Sequence, residues 1–430
     1  MQPASRPDGE RGRVLRRSGG HDRHSRVHRI ASVVRQSLFS KWFALVFLAS
    51  LAAELTNSLL VHFPGFLQSL GASELRIGTI VGVTGAASIV VRPWIGRLID
   101  RKGRRRMIRW GTLVIAASTL GYAFVDSIGP AVVGARVLQG LGQAMTYTAF
   151  WAYIADRLPA ARRAQGIALF GISGLAPIGI GPALGDQILA SSFGYRGVFL
   201  VATVCAFVAF GLSLLLEESV ANAPATSFFD LLRRPSLRPI WLVTLILALG
   251  FTAAFVFVTT YVTATGVGTV GSFFAAYAIA AIAWRLGFAW IPDRIGPARM
   301  IAPGLALYAA GLATVGLVGN NSGLVVGGLL TGLGHGISFP VVVTLATSRA
   351  AIEERGTTTA IFTALFDISL FGAAPLIGWM IEQVGYGTTF STIGAAVLLG
   401  IAIFYLTERR WVRLEAMVTG EPVTAPSPHV

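Results

Sequence analysis

Apolar residues run through this chain in long unbroken blocks, interrupted at short intervals by clusters of arginine, glycine and proline. The blocks approach the roughly 20 residues that a helix needs to cross about 30 Å of hydrocarbon. On that criterion about twelve can be placed: Trp42–His62, Leu75–Gly96, Met107–Val125, Pro130–Ile154, Ala164–Ala190, Tyr195–Leu216, Ile240–Thr265, Gly271–Ile291, Met300–Val318, Gly323–Thr347, Thr357–Glu382 and Thr388–Leu406. A membrane barrel needs segments of about ten residues with alternating polarity, and these blocks do not alternate. The pattern predicts an all-α membrane protein with twelve transmembrane helices.

The polar punctuation repeats. Between blocks two and three stands Gly96-Arg-Leu-Ile-Asp100-Arg101-Lys-Gly103-Arg104-Arg105-Arg106, and a fainter copy, Pro292-Asp293-Arg294-Ile-Gly296-Pro-Ala-Arg299, follows block eight. Asp100 and Asp293 lie 193 positions apart, and the same offset aligns Arg92 with Arg285, Gly103 with Gly296 and Arg106 with Arg299. Gly140-Leu-Gly142 in block four is echoed by Gly332-Leu-Gly334 in block ten, and Pro182-Ala-Leu-Gly185 by Pro375-Leu-Ile-Gly378. A duplicated unit implies two pseudo-symmetric six-helix bundles, the arrangement in which transporters place a site between halves. The predicted organisation is a disordered basic tail over 1–40, a first bundle over 41–216, a linker over 217–239, a second bundle over 240–407 and a C-terminal tail over 408–430.

Composition agrees with the pattern. The chain is 54% hydrophobic and 13% charged, against about 25% charged for soluble domains. The net charge of +15 is not a nucleic-acid footprint, because its arginines crowd the N-terminal tail and alternate loops, while only Arg76 and Arg196 fall in the opposite set. That asymmetry places both termini in the cytoplasm of a multi-pass protein of the cell (plasma) membrane. The lipid bilayer is thus a partner; the basic tail either binds anionic headgroups or serves only as a topology signal. The tail lacks the features of a secretory signal. Cys205, the sole cysteine, lies inside block six, so neither a disulfide framework nor a thiol metal cluster is expected. No P-loop is present, which argues against ATP-driven work by this chain. The chain is read as a non-enzyme needing no cofactor and no metal.

These motifs resemble the major facilitator superfamily over roughly Trp42 to Leu406. Gly96, Asp100, Arg101, Gly103 and Arg104 match its loop signature between helices two and three. Arg136-Val-Leu-Gln139-Gly140-Leu-Gly142 resembles its helix-four signature, and Gly181-Pro182-Ala-Leu-Gly185 resembles the helix-five signature of its antiporters. The last match is incomplete: Asp186 replaces a second glycine and Pro177 an upstream one. The greatest similarity is to proton-coupled drug and metabolite exporters. The resemblance implies alternating access and a monomer. It also implies a latch in which Asp100 meets the start of span eleven near Gly356 while a neighbouring arginine pairs with Asp156; Asp293 and Arg294 belong to its echo. Helices one, four, seven and ten would line the cavity.

Ionisable residues inside the spans then become candidates, since each costs at least about 2.5–3.5 kcal/mol at the bilayer centre unless paired or solvated. Glu54, Arg136, Asp367 and His335 are the proton-coupling candidates. Asn57, Gln143, Tyr147, Thr259 and Tyr261 are the candidates for lining the cavity. Each ionisable group has a second reading: a static Glu54–Arg136 pair, helix capping by Asp367 near Gly372, a packed hydrogen-bonding role for His335. Asp186 either seals the outer side or sits at a solvated helix end, and Arg92 and Arg285 are expected to snorkel to phosphates. The predicted activity is proton-coupled efflux of a small organic substrate. Import or facilitated passage of a sugar or organic acid is the alternative, with a non-transporting receptor further off.

Overall fold

The computed structural model describes residues 40–158, 163–218, 227–351 and 354–419. Contacts divide the chain into residues 1–43 and 44–430. Of the first unit, the described part is Ser40 and the opening of one helix; all that follows concerns the second.

Every described element is helical. The long helices are α1 (Lys41–Ser69), α2 (Glu74–Lys102), α3 (Arg104–Tyr122), α4 (Pro130–Arg157), α5 (Ile172–Leu189), α6 (Gly194–Leu214), α7 (Pro235–Thr265), α8 (Val270–Gly287), α9 (Ile301–Val318), α10 (Asn321–Ser348) and α11 (Arg355–Thr419). By length and composition, 8 segments among the described residues are long and apolar enough to cross a membrane. Four arginines in the first two turns of α3 dilute its apolar run, as glycines and amides do in α4. The segment Arg355–Arg410 is 56 residues long, about twice what a bilayer accommodates, and it breaks at Gly385, where φ is 79° and ψ is 168°.

The ends of these helices follow from local chemistry. Ser73 caps α2, its hydroxyl accepting from Arg76 N at 3.4 Å, and Asn320 caps α10 by accepting from Gly323 N at 2.9 Å. Thr269 and Ser272 form a reciprocal capping box at the start of α8, which satisfies two otherwise orphaned amides. The repeated loop is repeated in conformation: Gly103 and Gly296 stand at φ 90° and 93°, a region that side chains with a Cβ avoid. A π turn over Ala253–Phe257 interrupts α7.

The packing is duplicated too. A Cβ on Gly140 would strike the Thr84 carbonyl of α2, and one on Gly142 would strike Ile115 and Gly111 of α3. In the second half, Gly332 lies against the Tyr277 backbone of α8 and Gly334 against Tyr308 and Gly304 of α9. Both α4 and α10 therefore seat two neighbours through the same glycine pair, which lets backbones approach where lipid gives no hydrophobic drive. Overpacking such a contact costs about 1–3 kcal/mol or more. Gly332→Val is expected to lower the thermal unfolding midpoint of the detergent-purified protein, whereas Gly372→Ala, whose Cβ would meet nothing within 4 Å, leaves it unchanged. Equal midpoints would show that the close approach of α10 to α8 contributes nothing.

Candidate functional site

Two helix pairs make most of the contact between the halves of the chain, α2 with α11 and α5 with α8, and the ends of α1 and α7 also meet. On the first, Gly78 and Gly85 abut the carbonyls of Ala374 and Asp367, and Gly378 abuts that of Glu74; on the second, Gly179 rests on Ala278 and Gly271 on Ala183. Polar ties gather at the end opposite the arginine loops. Leu75 N donates to Glu382 Oε1 at 2.8 Å, Tyr386 OH to Glu74 Oε1 at 2.5 Å, and Thr259 Oγ1 to the Val61 carbonyl at 2.8 Å. Gly271 N, in the first turn of α8, donates to Asp186 Oδ2 at 2.6 Å, where a carboxylate favours the positive end of the helix. The buried His62 Nε2 lies 2.9 Å from the Pro182 carbonyl and 3.8 Å from Asp186 Oδ1. Asp186 thus ties two halves together rather than standing solvated at a helix end.

Deeper in, a polar string crosses from α4 to α1. Gln143 Nε2 donates to Asn57 Oδ1 at 2.8 Å, and Asn57 Nδ2 reaches Glu54 Oε2 at 3.4 Å. Tyr147, one turn beyond Gln143, lies within electrostatic range of Glu54 and also of Arg92 and Arg285. Glu54, Asn57, Gln143 and Tyr147 are all half-buried, and so is Arg285 on α8 of the other half.

Arg136 does not join Glu54. Its Nη1 donates to Gln139 Oε1 at 2.5 Å, Tyr122 OH donates to the same oxygen at 2.8 Å, and the guanidinium lies 4.0 Å above the Phe63 ring. Phe63 is nine residues from Glu54 along the chain, about 14 Å on a helix, so the static Glu54–Arg136 pair does not form. Asp367 is not a helix cap near Gly372 either. Its Oδ2 accepts from Arg92 Nη2 at 2.5 Å and from Ser88 Oγ at 2.8 Å, while Arg92 Nη1 donates to Thr363 Oγ1 at 2.8 Å. Arg92 therefore turns into the seam between α2 and α11 instead of snorkelling outward. The sequence reading missed Arg92 and Ser88 as partners, and Arg92 was signalled by its place in the repeat.

Thr259 and Tyr261 are not brought to the Glu54 cluster. Thr259 is spent on Val61, and Tyr261 is buried against the rings of Tyr386 and Phe390, at 5.6 and 6.1 Å. The π turn upstream adds a residue to one turn, and each added residue rotates the following side chains by about 100°. His335 sits in an aromatic box, its ring 5.1 Å from Phe339, 5.6 Å from Tyr277 and 5.9 Å from Phe251. Neither ring nitrogen has a hydrogen-bond partner, and the buried hydroxyls of Tyr277, Tyr308 and Ser338 also lack one.

At the arginine-loop end, the buried Arg104 donates from Nε to Asp156 Oδ2 at 2.9 Å and from Nη1 to the Ile99 carbonyl at 2.9 Å. Arg105 N donates to Glu218 Oε1 at 3.0 Å. In the repeated loop the Arg294 guanidinium lies 4.8 Å from the Trp290 ring. The side chains of Asp100, Arg101 and Asp293, with Gly96, lie outside the described residues, and so does any contact of Asp100 with Gly356. The linker ends on a fork: Arg234 Nη1 and Nη2 each donate to Glu354 at 2.7 Å, which holds the Glu354 carboxyl below the usual carboxylate range.

Two halves of one helical chain are joined by paired helices and carry polar groups inside their long apolar helices. The sequence profile described as Major Facilitator Superfamily matches residues 42–318 and, again, 240–417. The chain belongs to the Major Facilitator Superfamily. It is accordingly a non-enzymatic, multi-pass membrane transporter of a small-molecule substrate. It is 26% identical over 363 residues to an uncharacterized MFS-type transporter of Salmonella typhimurium, covering 82% of this chain and 92% of that one. It is equally 26% identical to one of Burkholderia pseudomallei, covering 83% and 89%. Among solved structures, the human organic anion transporter MFSD10 (TETRAN) superposes with a TM-score of 0.66 at 18% identity, covering 84% of this chain and 98% of that one. A POT family transporter in complex with 5-aminolevulinic acid superposes with a TM-score of 0.72 at 12% identity, covering 86% and 96%. At those identities the likeness is one of fold.

Proposed function

We propose that this transporter exports a small organic molecule by alternating access, driven by a proton gradient. The long α11 is read as two spans meeting at Gly385, which makes twelve spans in bundles over 41–216 and 240–407 joined by the linker over 217–239. The arginine-loop end is read as cytoplasmic, together with both termini, in the plasma membrane, and the carrier as a monomer. The ties at the opposite end, Asp186 to α8 and Glu382 to α2, support a form closed on the outer side.

The observation that carries the reading is the Gln143–Asn57–Glu54 string. A half-buried carboxylate in the middle of a span, with an amide as its hydrogen-bond partner, is costly to keep ionised and well suited to binding and releasing a proton as water access changes sides. Export is favoured over import by the helix-five resemblance around Gly181-Pro182 and by Arg136 at its helix-four position. The fold neighbours named for organic anions and for 5-aminolevulinic acid support an organic solute.

Proteoliposomes holding the purified full chain test this, with ethidium, chloramphenicol and 4-aminobenzoate as cationic, neutral and anionic probes. At least one probe is expected to accumulate against its gradient when a pH difference is imposed, and to stop when a protonophore is added. Passage indifferent to the pH difference would make the protein a facilitator, and passage of none would remove the transport mechanism proposed.

A further inference from the structure

The two halves treat equivalent arginines in opposite ways. Arg92 and Arg285 occupy the same place in the repeat. Arg92 donates to Asp367 and Thr363, and Ser88 donates to the same Asp367 carboxylate. At the same 193-residue offset, the positions equivalent to these three are Gly174, Ala281 and Phe170. None of them carries an acceptor side chain. From Phe170 to Gly185 there is no acidic residue at all, and the next one, Asp186, is engaged by the start of α8. A Cβ at Gly174 would meet nothing within 4 Å.

Arg285 is left as a cation without a counterion among the described residues. Its Nε is buried and has no hydrogen-bond partner. It lies within electrostatic range of Tyr147 on α4 and of Tyr277 and His335 in the second half, and Tyr277 OH and both His335 nitrogens likewise have no hydrogen-bond partner. Phe251, Phe339 and Phe366 supply flat apolar surface beside them. A buried charge persists in such a place only when something pairs with it for part of the working cycle. Guanidinium and carboxylate match as planar forks, and rings beside the fork suit a planar apolar body.

We propose that Arg285 binds the anionic group of the transported molecule, and that the substrate class is organic carboxylates with an aromatic or otherwise flat body, the ligand supplying the carboxylate that Asp367 supplies to Arg92. This deepens the transport reading and rests on it, but binding can be judged without transport. The thermal unfolding midpoint of the full chain in detergent is measured against benzoate, 1-naphthoate and the uncharged isostere benzamide.

The two carboxylates are expected to raise the midpoint in a saturable way and benzamide to leave it alone. Arg285→Gln is expected to weaken benzoate binding more than tenfold, because truncating one member of a desolvated charge pair acts on dissociation. Arg285→Lys, which keeps the charge and loses the fork, should fall between. Without ligand, Arg285→Gln is expected to leave the midpoint unchanged or higher, since it removes an unpaired, half-buried charge, whereas Arg92→Gln lowers it. The proposal is overturned if neither carboxylate stabilises the wild type, if benzamide matches benzoate, if Arg285→Gln binds benzoate as tightly as the wild type, or if that variant is destabilised as much as Arg92→Gln. In the proteoliposome panel, movement of ethidium or chloramphenicol without 4-aminobenzoate would sink this inference and leave the carrier standing. Movement of no probe would sink the carrier, and the midpoints would still decide the role of Arg285.

Discussion

Replacing Asp367 by asparagine is expected to lower both the stability and the transport activity of this protein by large factors. The carboxylate holds Arg92 and Ser88 across the seam between α2 and α11, a place where Gly85 allows the two backbones to touch. Asparagine keeps the shape and removes the charge, so Arg92, whose side chain is 8% exposed, stays as an unmatched cation. Breaking a buried pair from one side typically costs about 3–5 kcal/mol. The Asp367 side chain is 19% exposed and water shares its load, which puts the expected loss near the lower end, about 3 kcal/mol. The Arg92→Met/Asp367→Met double variant should recover most of the midpoint, because neither charge remains to be desolvated. Thermal midpoints of Arg92→Met, Asp367→Met and the double variant give the coupling directly. Additive effects would mean that the pair does not hold the seam.

The helical character was legible because bilayer thickness sets the length of an apolar run, and 8 described segments are long and apolar enough to cross a membrane. The break of α11 at Gly385 falls between the blocks Thr357–Glu382 and Thr388–Leu406. The shared positive φ of Gly103 and Gly296 answers to their shared place in the repeat. Charge chemistry was harder to read. Asp367 and Arg92 are 275 residues apart, and nothing in periodicity reports which helix faces which across two halves. The divergence of Arg92 and Arg285 was written at positions 367 and 174, yet its meaning appears only when α2 is seen against α11. Thr259 and Tyr261 lie apart from the Glu54 string for a different reason. Helical spacing assumes an unbroken turn, and the π turn over Ala253–Phe257 has no polar residue or proline to announce it.

Glu54→Gln is expected to act in the opposite sense on stability and more severely on coupling. Glutamine is nearly isosteric and its carbonyl can still accept from Asn57, so the string to Gln143 survives. Among the described residues, Glu54 has no ion pair like that of Asp367 with Arg92, and its hydrogen-bond partner is Asn57. Neutralising it strands no cation, and it removes a charge worth at least about 2.5–3.5 kcal/mol of burial cost near the bilayer centre. The thermal midpoint should therefore stay level or rise while that of Asp367→Asn falls. In proteoliposomes, accumulation driven by an imposed pH difference should drop at least tenfold, because the side chain no longer takes up or releases a proton, whereas exchange of probe across the membrane without a gradient should continue. The split between driven and undriven movement separates a proton carrier from a structural residue: loss of both would mark Glu54 as part of the scaffold or of substrate binding, and retention of pH-driven accumulation would move the coupling proton elsewhere.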